Sequence, residues 1–75
     1  MKTQLRTLDI RPVIAAGKNP LEQIIAVTSA LRPNEQLLLI TPFLPAPLIE
    51  KLQSEGFKAR PERCASGAWQ TYFSR

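Results

Sequence analysis

The chain has 75 residues, 44% of them hydrophobic, and a net charge of +4 from ten basic and six acidic side chains. At this length one domain is expected, and it buries only about 60% of its unfolded surface, so self-association would be a natural supplement to a marginal core. With no histidine and a single cysteine, Cys64, the chain cannot run serine–histidine or cysteine–histidine catalysis, close an internal disulfide or build a multi-cysteine metal site.

No catalytic residue, metal site or cofactor is expected. No apolar run approaches the ~20 residues that span a bilayer, and Met1-Lys2-Thr3-Gln4-Leu5-Arg6 lacks the apolar core of a signal peptide. The expected setting is cytoplasmic and away from membranes. The basic residues are spread along the chain without a block of like charge, which speaks against a nucleic-acid footprint.

Thr3 to Arg11 alternates as a first strand, with Leu8 and Ile10 on one face and Thr7, Asp9 and Arg11 on the other. Pro12 cannot donate to a ladder and ends it. Val13 to Lys18 reads as a connection apolar enough to pack down. Asn19-Pro20-Leu21-Glu22 then has the chemistry of a helix start, with Asn as cap, Pro in the first helical position and Glu where a capping box places it. Leu21, Ile24, Ile25, Thr28 and Leu31 form the predicted apolar stripe. Pro33-Asn34 turns the chain.

Leu37-Leu38-Leu39-Ile40 has no polar face, which suits an inner strand better than an edge. The prolines at 42, 45 and 47 stop that strand and preset a second helix, with Leu48, Ile49 and Leu52 on its buried side. Gly56 is the expected left-handed terminator and Phe57 its apolar contact. From Phe57 the period becomes two, Ala65-Ser66-Gly67 turns, and Trp69, Thr71 and Phe73 alternate with Gln70, Tyr72 and Ser74. The predicted fold is an α/β (α+β) two-layer sandwich, β-α-β-α-β-β. Right-handed crossovers put two helices on one face, and Pro61 makes the third strand an edge, so the mixed four-stranded sheet takes the order 1-2-4-3.

The Leu8-Asp9-Ile10-Arg11 opening, the proline-started helix, the aliphatic strand and the Pro45-Ala46-Pro47-Leu48 step resemble the TusA/SirA-like family. With Glu55-Gly56-Phe57 and the terminal strand containing Trp69, the chain is most similar to an uncharacterised branch, the domain of unknown function 2249. The resemblance covers nearly the whole chain and implies a single TusA-like domain over residues 1–75. In TusA-like sulfur carriers the first helix opens with Cys-Pro-x-Pro, and that cysteine carries a persulfide. The matching stretch here is Gly17-Lys18-Asn19-Pro20, in a longer loop, with glycine at the cysteine position. The resemblance therefore implies the fold and not the sulfur relay.

Three surfaces are candidates. At the carboxyl ends of the two parallel strands, where open α/β sheets bind ligands, Arg11, Gly17, Lys18, Asn19 and Thr41 are expected to meet beside a helix amino end. That is a corner suited to an anion. On the sheet face without helices, alternation places Thr7, Asp9, Arg11, Lys58, Arg60, Gln70 and Tyr72, with two of the four aliphatics Leu37 to Ile40 also turned outward unless Val13 to Ala16 covers them. Arg11 and Asp9 are expected to pair. Cys64, beside Arg63, is a candidate reactive thiol, with a small buried hydrophobe as the ordinary alternative.

The function expected from these features is a small, non-catalytic binding or adaptor module. It would dock a protein partner or a second copy through the open face. The alternatives are sulfur-transfer or redox work by Cys64, and weak nucleic-acid binding through Arg11, Lys58, Arg60 and Tyr72.

Overall fold

A computed structural model describes residues 4–75, and Thr3, the expected first residue of the opening strand, lies outside them. The elements are β1 (Gln4–Asp9), α1 (Arg11–Ala15), α2 (Leu21–Ser29), β2 (Glu35–Thr41), α3 (Ala46–Ser54), β3 (Lys58–Arg63) and β4 (Trp69–Ser74). The four strands lie in the order β1-β2-β4-β3. β1 runs parallel to β2, and β4 is antiparallel to both of its neighbours. β3 is an edge, as Pro61 requires.

Exposure alternates along β2. Leu37, Leu39 and Thr41 are each 0% exposed, whereas Leu38 and Ile40 are only partly covered. Thr71 and Phe73 of β4, opposite Leu39 and Leu37, lie on the same buried face. Ile24 of α2 and Leu52 of α3 join one core with Leu37, Leu39 and Phe73. Both helices therefore pack on one side of the sheet, and two of the four aliphatics of β2 are left on the other.

One connection differs from the expected plan. β1 stops at Asp9, two residues before Arg11, and a short helix occupies Arg11–Ala15. The fixed φ of Pro12 suits a helix start better than a strand end, and the Asp9 carboxylate accepts the Arg11 backbone N–H at 3.0 Å. Gly17, at φ 74°, ends this helix: its N–H bonds to Ile14 O at 2.9 Å, and the Lys18 N–H reaches back to Val13 O at 3.1 Å. That is a Schellman closure, which needs the left-handed residue glycine supplies. Arg11 consequently leaves the strand. Ile14 turns toward the helix-side core, so the short helix packs that residue against the covered side of the sheet.

α2 starts as the sequence predicts, with Asn19 Oδ1 accepting the Leu21 N–H at 3.0 Å. Its buried stripe is narrower than expected. Ile24, Thr28 and Leu31 are buried, but Leu21 and Ile25 are 39% and 37% exposed. Residues 24, 28 and 31 share one line along the helix, and residues 21 and 25 sit one step around it, beside the mouth of a cleft.

At the far end of α2 the Arg75 Nε–H donates to Leu31 O at 2.7 Å, and its guanidinium lies 4.8 Å from the centre of the Phe57 ring. A cation there complements the negative end of the helix. Phe57 itself follows Gly56, and its N–H bonds to Leu52 O at 3.0 Å, closing α3 as predicted.

Candidate functional site

The carboxyl ends of β1 and β2 open into a cleft of about 450 Å³ between α2 and the start of α3. Ile10, Ile24 and Thr41, all nearly fully buried, form its deepest part. Pro45, Pro47 and Leu48 wall one side. Leu21 and Phe43, 39% and 53% exposed, stand at its mouth. The position is the one expected for a ligand in an open α/β sheet, but the lining is almost entirely apolar.

The residues predicted to make an anion corner are distributed around this cleft and largely engaged by their own chain. Asn19 and Thr41 line it; Arg11, Gly17 and Lys18 are not among its lining residues. The Arg11 guanidinium grips Asp9, with Nε and Nη2 at 2.9 and 2.7 Å from the two carboxylate oxygens. The Arg11 side chain, and then its backbone N–H, hold the Asp9 carboxyl below the usual carboxylate range. Asp9 in turn raises Arg11, with a smaller contribution from the nearby Cys64. The Lys18 amide is taken by Val13 O, the Leu21 amide by Asn19, and the Thr41 hydroxyl donates to Phe43 O.

The uncovered sheet face is organised in rows. One crosses from Thr7 through Leu38 and Tyr72 to Arg60, and the next from Asp9 through Ile40 and Gln70 to Glu62. Leu5, on the same face of β1, is 52% exposed. The Arg60 guanidinium lies 4.9 Å from the centre of the Tyr72 ring, so the tyrosine face expected to offer a stacking surface carries a cation of its own. Beside it is a shallow recess of about 210 Å³ lined by Gln36, Lys58, Arg60, Tyr72 and Ser74.

Cys64 sits in the β3–β4 turn and is partly buried. Its N–H bonds to Ala68 O at 2.8 Å and its carbonyl accepts the Gly67 N–H at 3.0 Å. Its backbone thus builds the hairpin. Among the described residues no group of three or more His, Cys, Asp or Glu could hold a metal ion, and no helix is long and apolar enough to cross a membrane.

Two features escaped sequence reasoning. The first is the cleft, whose signal was the pair Phe43-Leu44 set between Pro42 and Pro45. A tight turn needs no large apolar side chains, and these are 53% and 42% exposed. The second is Glu35, buried at the head of β2, which accepts the Arg32 backbone N–H at 2.9 Å and the Arg6 Nε–H at 2.8 Å. The Arg32 amide first, and Arg6 second, lower its pKa. Nothing in the one-dimensional pattern marks that carboxylate as buried.

A family model described as "Uncharacterized conserved protein (DUF2249)" matches residues 7–75. The chain belongs to the DUF2249 family. Comparison with curated proteins and with solved structures gave no match. The DUF2249 match takes in every residue that lines the cleft and nearly all of the uncovered face, from Thr7 of β1 to Ser74 of β4. Its description carries no activity, so the chemistry has to be argued from the surfaces themselves.

Proposed function

We propose that this DUF2249 chain is a small cytoplasmic binding or adaptor module without catalysis of its own, docking a protein partner or a second copy through the bare sheet face. The observation that carries this reading is the outward placement of Leu38 and Ile40 on an inner strand with no helix above them. Apolar side chains grouped on an open surface mark a partner site more often than chance exposure does. Leu5 extends the apolar ground on β1, and Lys58 and Arg60 border it on β3, so an apolar patch with acidic flanks would complement it.

The reading includes a TusA-like plan without TusA-like chemistry. The element order and the prolines at the starts of α2 and α3 support the plan. Gly17, where the carriers keep cysteine, counts against the chemistry.

Sulfur transfer or redox work through Cys64 has less behind it. That residue is partly buried and stands in a turn with no histidine in the chain. Nucleic-acid binding is weaker still, because Arg11 is paired and Tyr72 is overlaid by Arg60. The deciding experiment places a photoreactive amino acid at Thr7 on the bare face and, as control, at the exposed Glu50 of α3. Discrete adducts from position 7 that disappear in Leu38→Lys are expected. Adducts from position 50 alone, or a monomer free of adducts from position 7, would end the reading.

A further inference from the structure

The cleft is a surface distinct from the bare face, and its size restricts what can fill it. Leu21, Ile25, Phe43 and Leu44 around its mouth are 39%, 37%, 53% and 42% exposed. Together they present less apolar surface than two fully exposed side chains, on the order of 400 Å² at about 200 Å² each. A stable protein interface needs about 800 Å² from each partner. A second copy or a folded partner would therefore gain too little here. The volume of about 450 Å³, in contrast, lies in the range of roughly 300–1,000 Å³ that holds a small organic ligand.

The polar groups of the lining select the head of that ligand. Lys51 is the one ionisable residue that lines the cleft. Its only ion pair is with Glu55 at 3.5 Å, between side chains each 51% exposed. Such a helix-surface pair is worth about 0.3–0.5 kcal/mol and yields readily to a better partner. Asn19 keeps its two amide N–H donors, because its carbonyl oxygen is the group engaged by Leu21. The Thr41 hydroxyl is committed to Phe43 O. The lining thus offers donors and a positive charge, no carboxylate, and an apolar interior.

We infer that the cleft binds a small amphipathic carboxylate, its apolar body against Ile10, Ile24 and Leu48 and its head beside Lys51. Octanoate is the probe and 1-octanol its neutral counterpart, titrated into the chain carrying labelled isoleucine methyls. Octanoate is expected to shift Ile10, Ile14 and Ile24 saturably and to leave Ile40, on the bare face, in place. Lys51→Met should weaken octanoate about tenfold, the value of one charge-assisted hydrogen bond, and leave octanol unchanged. Leu21→Trp, made at an exposed rim position that the fold does not use, should weaken both probes with the thermal melt intact.

Shifts centred on Ile40, or no saturation below micelle formation, would overturn the site. An equal effect of Lys51→Met on both probes would overturn the carboxylate. If dilution of the unliganded chain moves the same methyls, a second copy fills the cleft and the inference fails. None of these outcomes bears on docking at the bare face, which Ile40 reports separately.

Discussion

The two sides of β2 carry nearly the same residue type and meet opposite fates. Leu37 and Leu39 are 0% exposed beneath α2 and α3, while Leu38 and Ile40 stand on a face that no helix covers. The covered side explains the fold: its apolar side chains interlock with Ile24, Leu52 and Phe73. The bare side does not, because an exposed strand face is served as well by threonine or tyrosine as by leucine. Hydrophobicity in excess of what the fold uses is the reason to look for a partner there.

The largest contrast should come from truncating the covered side. Leu39→Ala removes packed methyl groups from a fully buried position, and such substitutions cost about 2–5 kcal/mol. That is a large share of the roughly 5 kcal/mol expected of a marginal small domain. Chemical denaturation should show either a much lowered midpoint or a chain unfolded in buffer. A loss below about 1 kcal/mol would mean that the covered face is not the core.

A second contrast lies in two carboxylates, one on each side. Glu35 is buried at the head of the covered face, while Asp9 sits on the bare face with its side chain 35% exposed. Arg32 and Arg6 lower the pKa of the first, and Arg11 that of the second. For a lowered carboxyl, the stabilisation is complete above its unfolded pKa, near 4, and is lost as pH falls through the folded value. The melting temperature should therefore hold at neutral pH and drop on acidification below about pH 4. Glu35→Gln should flatten that acid limb more than Asp9→Asn does, because water screens the exposed pair. Equal effects would show that burial of Glu35 does not matter.

The covered face also contains one flaw. The Thr71 hydroxyl is buried without a hydrogen-bond partner. Thr71→Val keeps the shape and removes the polar group, so it should stabilise the chain by about 1 kcal/mol. A destabilised valine variant would reveal a partner for that hydroxyl in solution.

Sheet order was legible because single residues constrained it. Pro61 could sit only at an edge, and the unbroken Leu37-Leu38-Leu39-Ile40 run only inside. The parity of Thr71, Phe73 and Tyr72 followed from a period of two. The helix Arg11–Ala15 was missed although Pro12 and Gly17 bracket it as start and stop, because five residues are too few for a period to register. The Asp9–Arg11 pair was expected and is present, though it links a strand end to a helix start instead of two positions on one strand.

At the candidate corner the sequence indicated the place and not its character. Lys18, Asn19 and Thr41 look available in one dimension, but local turns use their hydrogen-bonding groups. The apolar lining comes from five segments that only the fold brings together. Leu21 and Ile25 illustrate the limit: helical spacing assigned them to the core, and the rotation of α2 over the sheet, which spacing does not encode, put them at the mouth of the cleft.

The smallest expected effect tests the comparison most directly. Leu38→Thr exchanges a partly covered leucine for a residue well suited to an open strand face, and its cost should stay within about 0.5 kcal/mol. At low concentration the variant and the parent should denature together, and they should separate only as concentration rises if a second copy covers this face. A cost comparable to that of Leu39→Ala at every concentration would instead mean that Leu38 is already buried within one chain. The two sides of β2 would then be alike, and the bare face could no longer serve as a docking surface.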